Sequence, residues 1–228
     1  MFTLKEVIPW GRSFDEYRRM FDLTDADLGL RILGCADGPA SFNAETTRGG
    51  SRVVSCDPLF RYQVSEIRNR IDATYEQVLE QTRQNRDEFV WGAIPSVEEL
   101  GRVRMSAMEA FLEDFEAGRT EQRYLDAELP VLPFPDGAFD LAVCSHFLFL
   151  YSDQLGEAFH HEAVLELCRV AAEVRIFPVL ALGGRRSPFL PSLIRQLRHK
   201  GHQTTLERVP YEFQRGGHEM MRIRAKAI

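Results

Sequence analysis

Two apolar runs, each stopped by residues that cannot continue it, constrain this chain more than any other feature. Leu30-Arg31-Ile32-Leu33 passes without a polar break into Gly34-Cys35-Ala36-Asp37-Gly38-Pro39, and Arg52-Val53-Val54-Ser55-Cys56 ends at Asp57-Pro58. Runs of this length read as buried strands, and the glycines behind the first allow the tight turn that carries a strand into a helix. Proline stops the second strand and leaves the Asp57 carboxylate at its carboxyl end. A third run, Phe139-Asp140-Leu141-Ala142-Val143-Cys144-Ser145, is almost continuously apolar, as in a central parallel strand. Such strands alternating with helices predict an α/β fold with a parallel sheet covered on both faces. Ligands of such sheets bind outside the carboxyl ends of the strands, at the switch point. The positions to search are therefore Gly34 to Gly38, Asp57, Asp126 and Ser145-His146.

The remaining pattern fills in around these strands. Ser13 with Glu16 three residues on is a capping box, and it predicts an N-terminal helix over about 13–22 with Phe14, Tyr17 and Phe21 on one face. Asp25 to Gly29 reads as polar punctuation. From about 61 to 118 the period becomes helical, with stripes at Ile67, Ile71, Tyr75, Val78 and Leu79 and at Met108, Phe111, Leu112 and Phe115, which predicts a helical insertion. Further strands are expected over Gln122–Asp126, Glu173–Leu180, Thr204–Phe213 and Glu219–Ala225, the last two joined by the short turn 214–218. Helices are expected over Gln154–Ala172 and Leu190–Lys200, the latter closed by Gly201. The whole chain, 1–228, reads as one domain.

Composition excludes several classes. At 44% hydrophobic and 27% charged the chain can bury a full core, which excludes disordered and low-complexity architectures. Its four cysteines, at 35, 56, 144 and 168, lack CxxC spacing and lie among apolar residues, so they read as buried hydrophobes of a protein in the reducing cytoplasm; no metal site is expected. No stretch is long and apolar enough for a membrane span or a signal core. The net charge of −6 hides an asymmetry, since residues 185–228 hold ten Lys/Arg against three Asp/Glu. Arg185, Arg186, Arg195, Arg198 and Lys200 leave room for a phosphate-bearing partner, but the acidic body disfavours nucleic acid as the main ligand.

Asp57 lies nineteen residues beyond Gly38. A carboxylate there takes both hydroxyls of a ribose, so the pair implies a cofactor containing a nucleoside. The loop lacks the second and third glycines of a nicotinamide site, which weakens an NAD(P)-dependent oxidoreductase. By contrast ILGCADGPASF, then VVSCDP, then LPFPDGAFDLAVCSHFLF resemble, in order and type, the motifs of class I S-adenosylmethionine-dependent methyltransferases. The likeness covers about 30–60 and 120–228 and leaves out the insertion. It implies a class I methyltransferase-like Rossmann fold, a mainly parallel seven-stranded sheet with a C-terminal antiparallel hairpin. It implies S-adenosylmethionine (SAM) as cofactor and a small-molecule acceptor, and the oligomeric state is open, with a homodimer among the options. Carried over, it puts Gly34, Cys35, Ala36, Asp37 and Gly38 under the methionine part and Asp57-Pro58 at the ribose. It puts Asp126 and Ala127 at the adenine, with Asp126 accepting from the exocyclic amine, and Ser145, His146 and Phe147 beside the exposed methyl. The chain departs at Ile32, where many members have an acid, and at Ala36, where they have glycine. His146, with a side chain that titrates near neutrality, is the first candidate base and Tyr151 the second. The insertion, with Trp91 and outward-facing Arg83, Arg86, Arg102 and Arg104, is expected to close over the acceptor. A protein that binds SAM or its product without turnover is the alternative reading.

Overall fold

The computed structural model describes residues 8–226. Helix α1 (Phe14–Met20) starts where the Ser13 side chain accepts from the Glu16 N–H and Glu16 reaches back to Ser13, the reciprocal cap its sequence predicts. A second capping box, Thr24 with Asp27, starts the one-turn α2 (Asp25–Leu28), where the sequence reads only as punctuation. Strand β1 (Arg31–Cys35) then leads into α3 (Phe42–Arg48), and β2 (Arg52–Cys56) follows. The insertion is the helix pair α4 (Val64–Gln84) and α5 (Val97–Thr120). After it come β3 (Tyr124–Leu125), β4 (Phe139–Ser145), α6 (Glu157–Val170), β5 (Ala171–Phe177), α7 (Leu190–His199), β6 (Gln203–Arg208) and β7 (Glu219–Arg224).

The sheet order is β3-β2-β1-β4-β5-β7-β6. Strands β3, β2, β1, β4 and β5 are parallel, and β7 runs antiparallel between β5 and β6. This is the class I methyltransferase-like Rossmann arrangement. Two expected boundaries move. β3 shrinks to two residues, Tyr124 and Leu125, which pair with Ser55 and Cys56 of β2. β6 ends at Arg208, so the connection to β7 is the long loop 209–218, not the tight turn 214–218; Pro210 in it has no N–H to give a ladder.

Alternation along the strands divides the core. Leu33, Cys35, Ala142 and Cys144 face Val164 and Leu167 of α6 and Leu193 and Leu197 of α7. Ile32, Val53, Leu141 and Val143 face Tyr17 and Met20 of α1, Phe21 just after it, and Phe42 of α3. The insertion adds a third cluster on the β3 edge, where Phe60, Phe111, Phe115 and Tyr124 meet with ring centroids 5.0–5.8 Å apart. Gly118 of α5 lies so close to Tyr124 that a Cβ would come within 2.4 Å of the ring. Register aligns Cys35, Cys56 and Cys144 side by side, and Ser145 opposite Phe177. The loops after β1, β2, β3 and β4 therefore open at one end of the sheet. All four cysteines are buried thiols. Among the described residues no helix is long and apolar enough to cross a membrane, and no group of three His, Cys, Asp or Glu is placed to hold a metal ion.

Candidate active site

The β1 loop is shaped by close approach. The Asp37 side chain folds back over Gly34, where a Cβ would lie 1.8 Å from Asp37 Oδ2, so only glycine fits. Tyr17 donates its hydroxyl to Asp37 Oδ1 at 2.8 Å and Ser55 Oγ donates to Oδ2 at 2.6 Å. Burial pushes the Asp37 carboxyl up to about 7, against the pull of these two donors and with the help of the nearby Asp57 charge. Ala36 and Gly38 both take left-handed backbone, at φ +56° and +53°. Ala36 is thus a non-glycine residue in the conformation that favours glycine, at the position where the family resemblance expects one.

Asp57 sits across from this loop. Its Oδ2 accepts from the Gly38 N–H at 2.9 Å and its Oδ1 from the Leu59 N–H at 2.8 Å, capping the short turn Pro58–Arg61. Burial raises its pKa, and these two N–H donors oppose the rise. Each oxygen keeps a second acceptor site. Cys35, Ala36, Asp37, Gly38, Asp57, Pro58, Ala127, Ser145, His146 and Tyr151 all line one cavity of about 500 Å³. Asp126 is not among its walls. It is half-exposed and paired with Arg61 at 3.0 Å, and Glu128, two residues on, lines the cavity instead. Asp126 follows the two-residue β3 directly, and its carboxylate turns out to Arg61.

At the end of β4, His146 also adopts left-handed backbone, at φ +51°, its N–H bonded to the Phe177 carbonyl at 2.6 Å. Its Nδ1 is 2.9 Å from Ser145 Oγ and its ring meets the Phe177 edge. Burial, then the charges of Arg12 and Arg104, drive its pKa well below the ordinary histidine value. Titration near neutrality, expected from the residue type, does not fit this surrounding; the imidazole is neutral there and weakly basic. Tyr151 is buried, and burial raises its pKa. His160, at the helix start, is wholly buried with both ring nitrogens facing carbonyl oxygens, of Gly156 and Leu148, so it serves the fold.

Behind His146 lies a layer of charge that the sequence reading missed. Arg104 of α5 is 1% exposed and pairs with Glu16 of α1; Tyr211, in the β6–β7 loop, donates to the other Glu16 oxygen at 2.7 Å. Arg104 is therefore no outward-facing lid residue. Its signal is legible afterwards: it shares the α5 stripe with Leu100, Met108 and Phe111, and an arginine on an apolar stripe needs a buried partner. The other three insertion arginines do face outward, with Arg83 on Glu80, Arg102 on Glu99 and Arg86 over the Trp91 ring. The roof of the cavity comes from two segments joined edge to edge. Phe89 stacks on Phe213 at 5.0 Å, the Val90 N–H bonds the Phe213 carbonyl at 2.7 Å, and the Arg215 N–H bonds the Glu88 carbonyl at 2.9 Å.

No known family model matches the chain. An uncharacterized protein of Methanocaldococcus jannaschii, MJ0045, is 32% identical over 223 residues, spanning 97% of this chain and 98% of that protein. The chain belongs to the family of that archaeal protein. The likeness between the two chains runs over nearly the full length of both, insertion included. Among solved structures, magnesium protoporphyrin IX methyltransferase from Synechocystis PCC 6803 with bound SAM is similar at TM-score 0.45 and 12% identity, over 93% of this chain and 91% of that one. The 1,6-didemethyltoxoflavin-N1-methyltransferase of Burkholderia thailandensis, with bound substrate and S-adenosylhomocysteine, is similar at TM-score 0.47 and 14% identity, over 93% and 79%.

Proposed function

We propose that the chain is a SAM-dependent methyltransferase acting on a small molecule. The observation that carries this reading is the Asp57 carboxylate, fixed by the Gly38 and Leu59 N–H groups at the carboxyl end of β2, in a cavity that continues past the β1 loop to His146 and Tyr151. The donor set suits SAM. Asp57 presents acceptors to a ribose diol, the Ala36–Gly38 backbone admits the methionine part closely, and the Ala127 backbone with Glu128 lies at the adenine end. Ile32 is buried in the core beneath the sheet and has no role in the cavity; Asp37 supplies the carboxylate there for a cofactor ammonium. When bound, SAM supplies an electrophilic methyl on a sulfonium.

The chain's own residues align and enclose the acceptor. The Phe89–Phe213 roof and the apolar walls exclude water, and alignment of nucleophile and methyl is the main requirement of such a transfer. His146 is neutral and weakly basic, which suits an acceptor atom already nucleophilic without losing a proton. Calorimetry with SAM, S-adenosylhomocysteine and NAD(P) tests the reading: SAM and its product bind and nicotinamides do not. Asp57→Ala weakens SAM binding by about 1–3 kcal/mol, the loss of charge-assisted hydrogen bonds. Binding of nicotinamides alone overturns the reading. Incubation with a methyl-labelled donor and a metabolite extract separates turnover from binding, and label in no product supports a binding protein.

A further inference from the structure

We propose that the His146 end of the cavity anchors an acidic group, so that the methyl acceptor is an apolar organic acid held by Arg12 and Arg104; this rests on the methyltransferase reading above. Two guanidinium groups act on the Glu16 carboxylate here, and only one pairs with it. Glu16 takes Arg104, and it is further occupied by the Tyr211 hydroxyl and by the Ser13 N–H and Oγ. Arg12 gives one N–H to the Trp10 carbonyl at 2.7 Å, and no carboxylate among the described residues pairs with it. Both Arg12 Nε and Arg104 Nε are buried without an acceptor, and both side chains line the cavity. An excess positive charge with unpaired donors in an apolar enclosure is stabilised by an anion that enters it.

The cavity's charged lining is mixed: the carboxylates of Asp37, Asp57 and Glu128 share it with Arg61, whose charge reaches Asp57, and Glu88 belongs to the roof segment. Arg12, whose carbonyl accepts from the Ser41 N–H behind the β1 loop, and Arg104 stand near His146, which feels their field. The same lining carries apolar side chains, among them Phe147, Leu150, Leu155, Phe159 and Phe213. An acid on an apolar, ring-sized body matches both parts.

The test uses two fluorescent probes on the purified full chain: the anionic 1-anilinonaphthalene-8-sulfonate and its neutral counterpart N-phenyl-1-naphthylamine. The expected result is that Arg12→Gln weakens the anion by about tenfold or more, as loss of a charge-assisted contact does, and leaves the neutral probe unchanged. Arg12→Lys restores part of the anion affinity. Equal losses for both probes, or none for either, overturn the proposal. SAM and 5′-methylthioadenosine, which lacks the amino-acid part, are titrated in parallel. If Arg12→Gln weakens SAM and spares methylthioadenosine, the acid it binds is the cofactor's own and the proposal falls. If SAM fails to bind the unaltered chain while the probe contrast holds, the methyltransferase reading falls and the acid site stands.

Discussion

Gly34 has no room for a side chain, because the Asp37 carboxylate occupies the place of a Cβ. Gly34→Ala must therefore push Asp37 away from the Tyr17 and Ser55 hydroxyls, and the expected outcome is loss of SAM binding together with about 1–3 kcal/mol of stability, read by calorimetry and denaturant melts. Ala36 is the opposite case. It holds left-handed backbone at a cost of about 1 kcal/mol, so Ala36→Gly is expected to leave stability level or raise it by up to that amount. A lower melting midpoint for Ala36→Gly would count against strain at this residue. At this scale the sequence was most readable where backbone demands coincide with residue type, as at Gly38 and at Asp57 before proline. It was least readable where a polar side chain is spent on a distant partner. Glu16 shows itself as a cap, but nothing near it in the chain announces Arg104 and Tyr211, 88 and 195 residues away.

Strands β1, β2 and β4 bring Cys35, Cys56 and Cys144 into one row beneath the cofactor loops. Burial pushes the Cys144 thiol up to about 12, and Cys35, hydrogen-bonded to Cys56 and buried, is raised as well. Thiolates are the reactive form, so a thiol reagent is expected to label none of the four cysteines in the native protein and all four once it is denatured. Fast native labelling of even one would contradict this packing. The roof is a second device at this level, since Phe213 holds it by stacking on Phe89 and meeting Trp91 at 5.5 Å. Phe213→Ala is expected to raise KM for the acceptor several-fold and leave SAM affinity within about twofold, because the contact lies away from Asp57. Most helices and strands were readable from period and caps: α1, α4, α5, β2 and β4 stand where apolar spacing puts them. The β6–β7 loop was not, because Val209, Tyr211 and Phe213 continue a strand-like alternation while their side chains turn to the core and the cavity. Alternation reports burial, and burial here serves a loop.

Across the molecule, two buried carboxyls set opposite slopes of stability with pH. Burial works to raise Glu16, but the charge and hydrogen bond of Arg104, with Arg12 beside, hold it down to about 2. Its stabilisation is therefore complete above the unfolded value of 4.5 and is lost as pH falls toward 2. Asp37 acts the other way. With a folded value of about 7 against 3.8, it favours the native state fully at low pH and loses that contribution as pH rises through 7. The expected profile from this pair rises to about pH 4–5 and then declines toward neutrality, by up to about 1.4 kcal/mol per unit. Asp37→Asn removes the decline; a slope unchanged in that variant would show that other groups cause it. The basic C-terminal stretch is likewise less available than its count suggests, since Arg222 is bound to Glu173, Arg186 to Glu219, and Arg215 to the Asp87 and Phe89 carbonyls. One more property follows from Glu16 joining residues 16, 104 and 211. The loops after β1 to β4 are made or begun by the time the chain reaches His146, but the strands that carry them pack on β5 and β7, and the roof takes Phe213. A nascent chain therefore cannot close this cavity until its synthesis has nearly reached the last strand, and truncation before Phe213 leaves the site unmade.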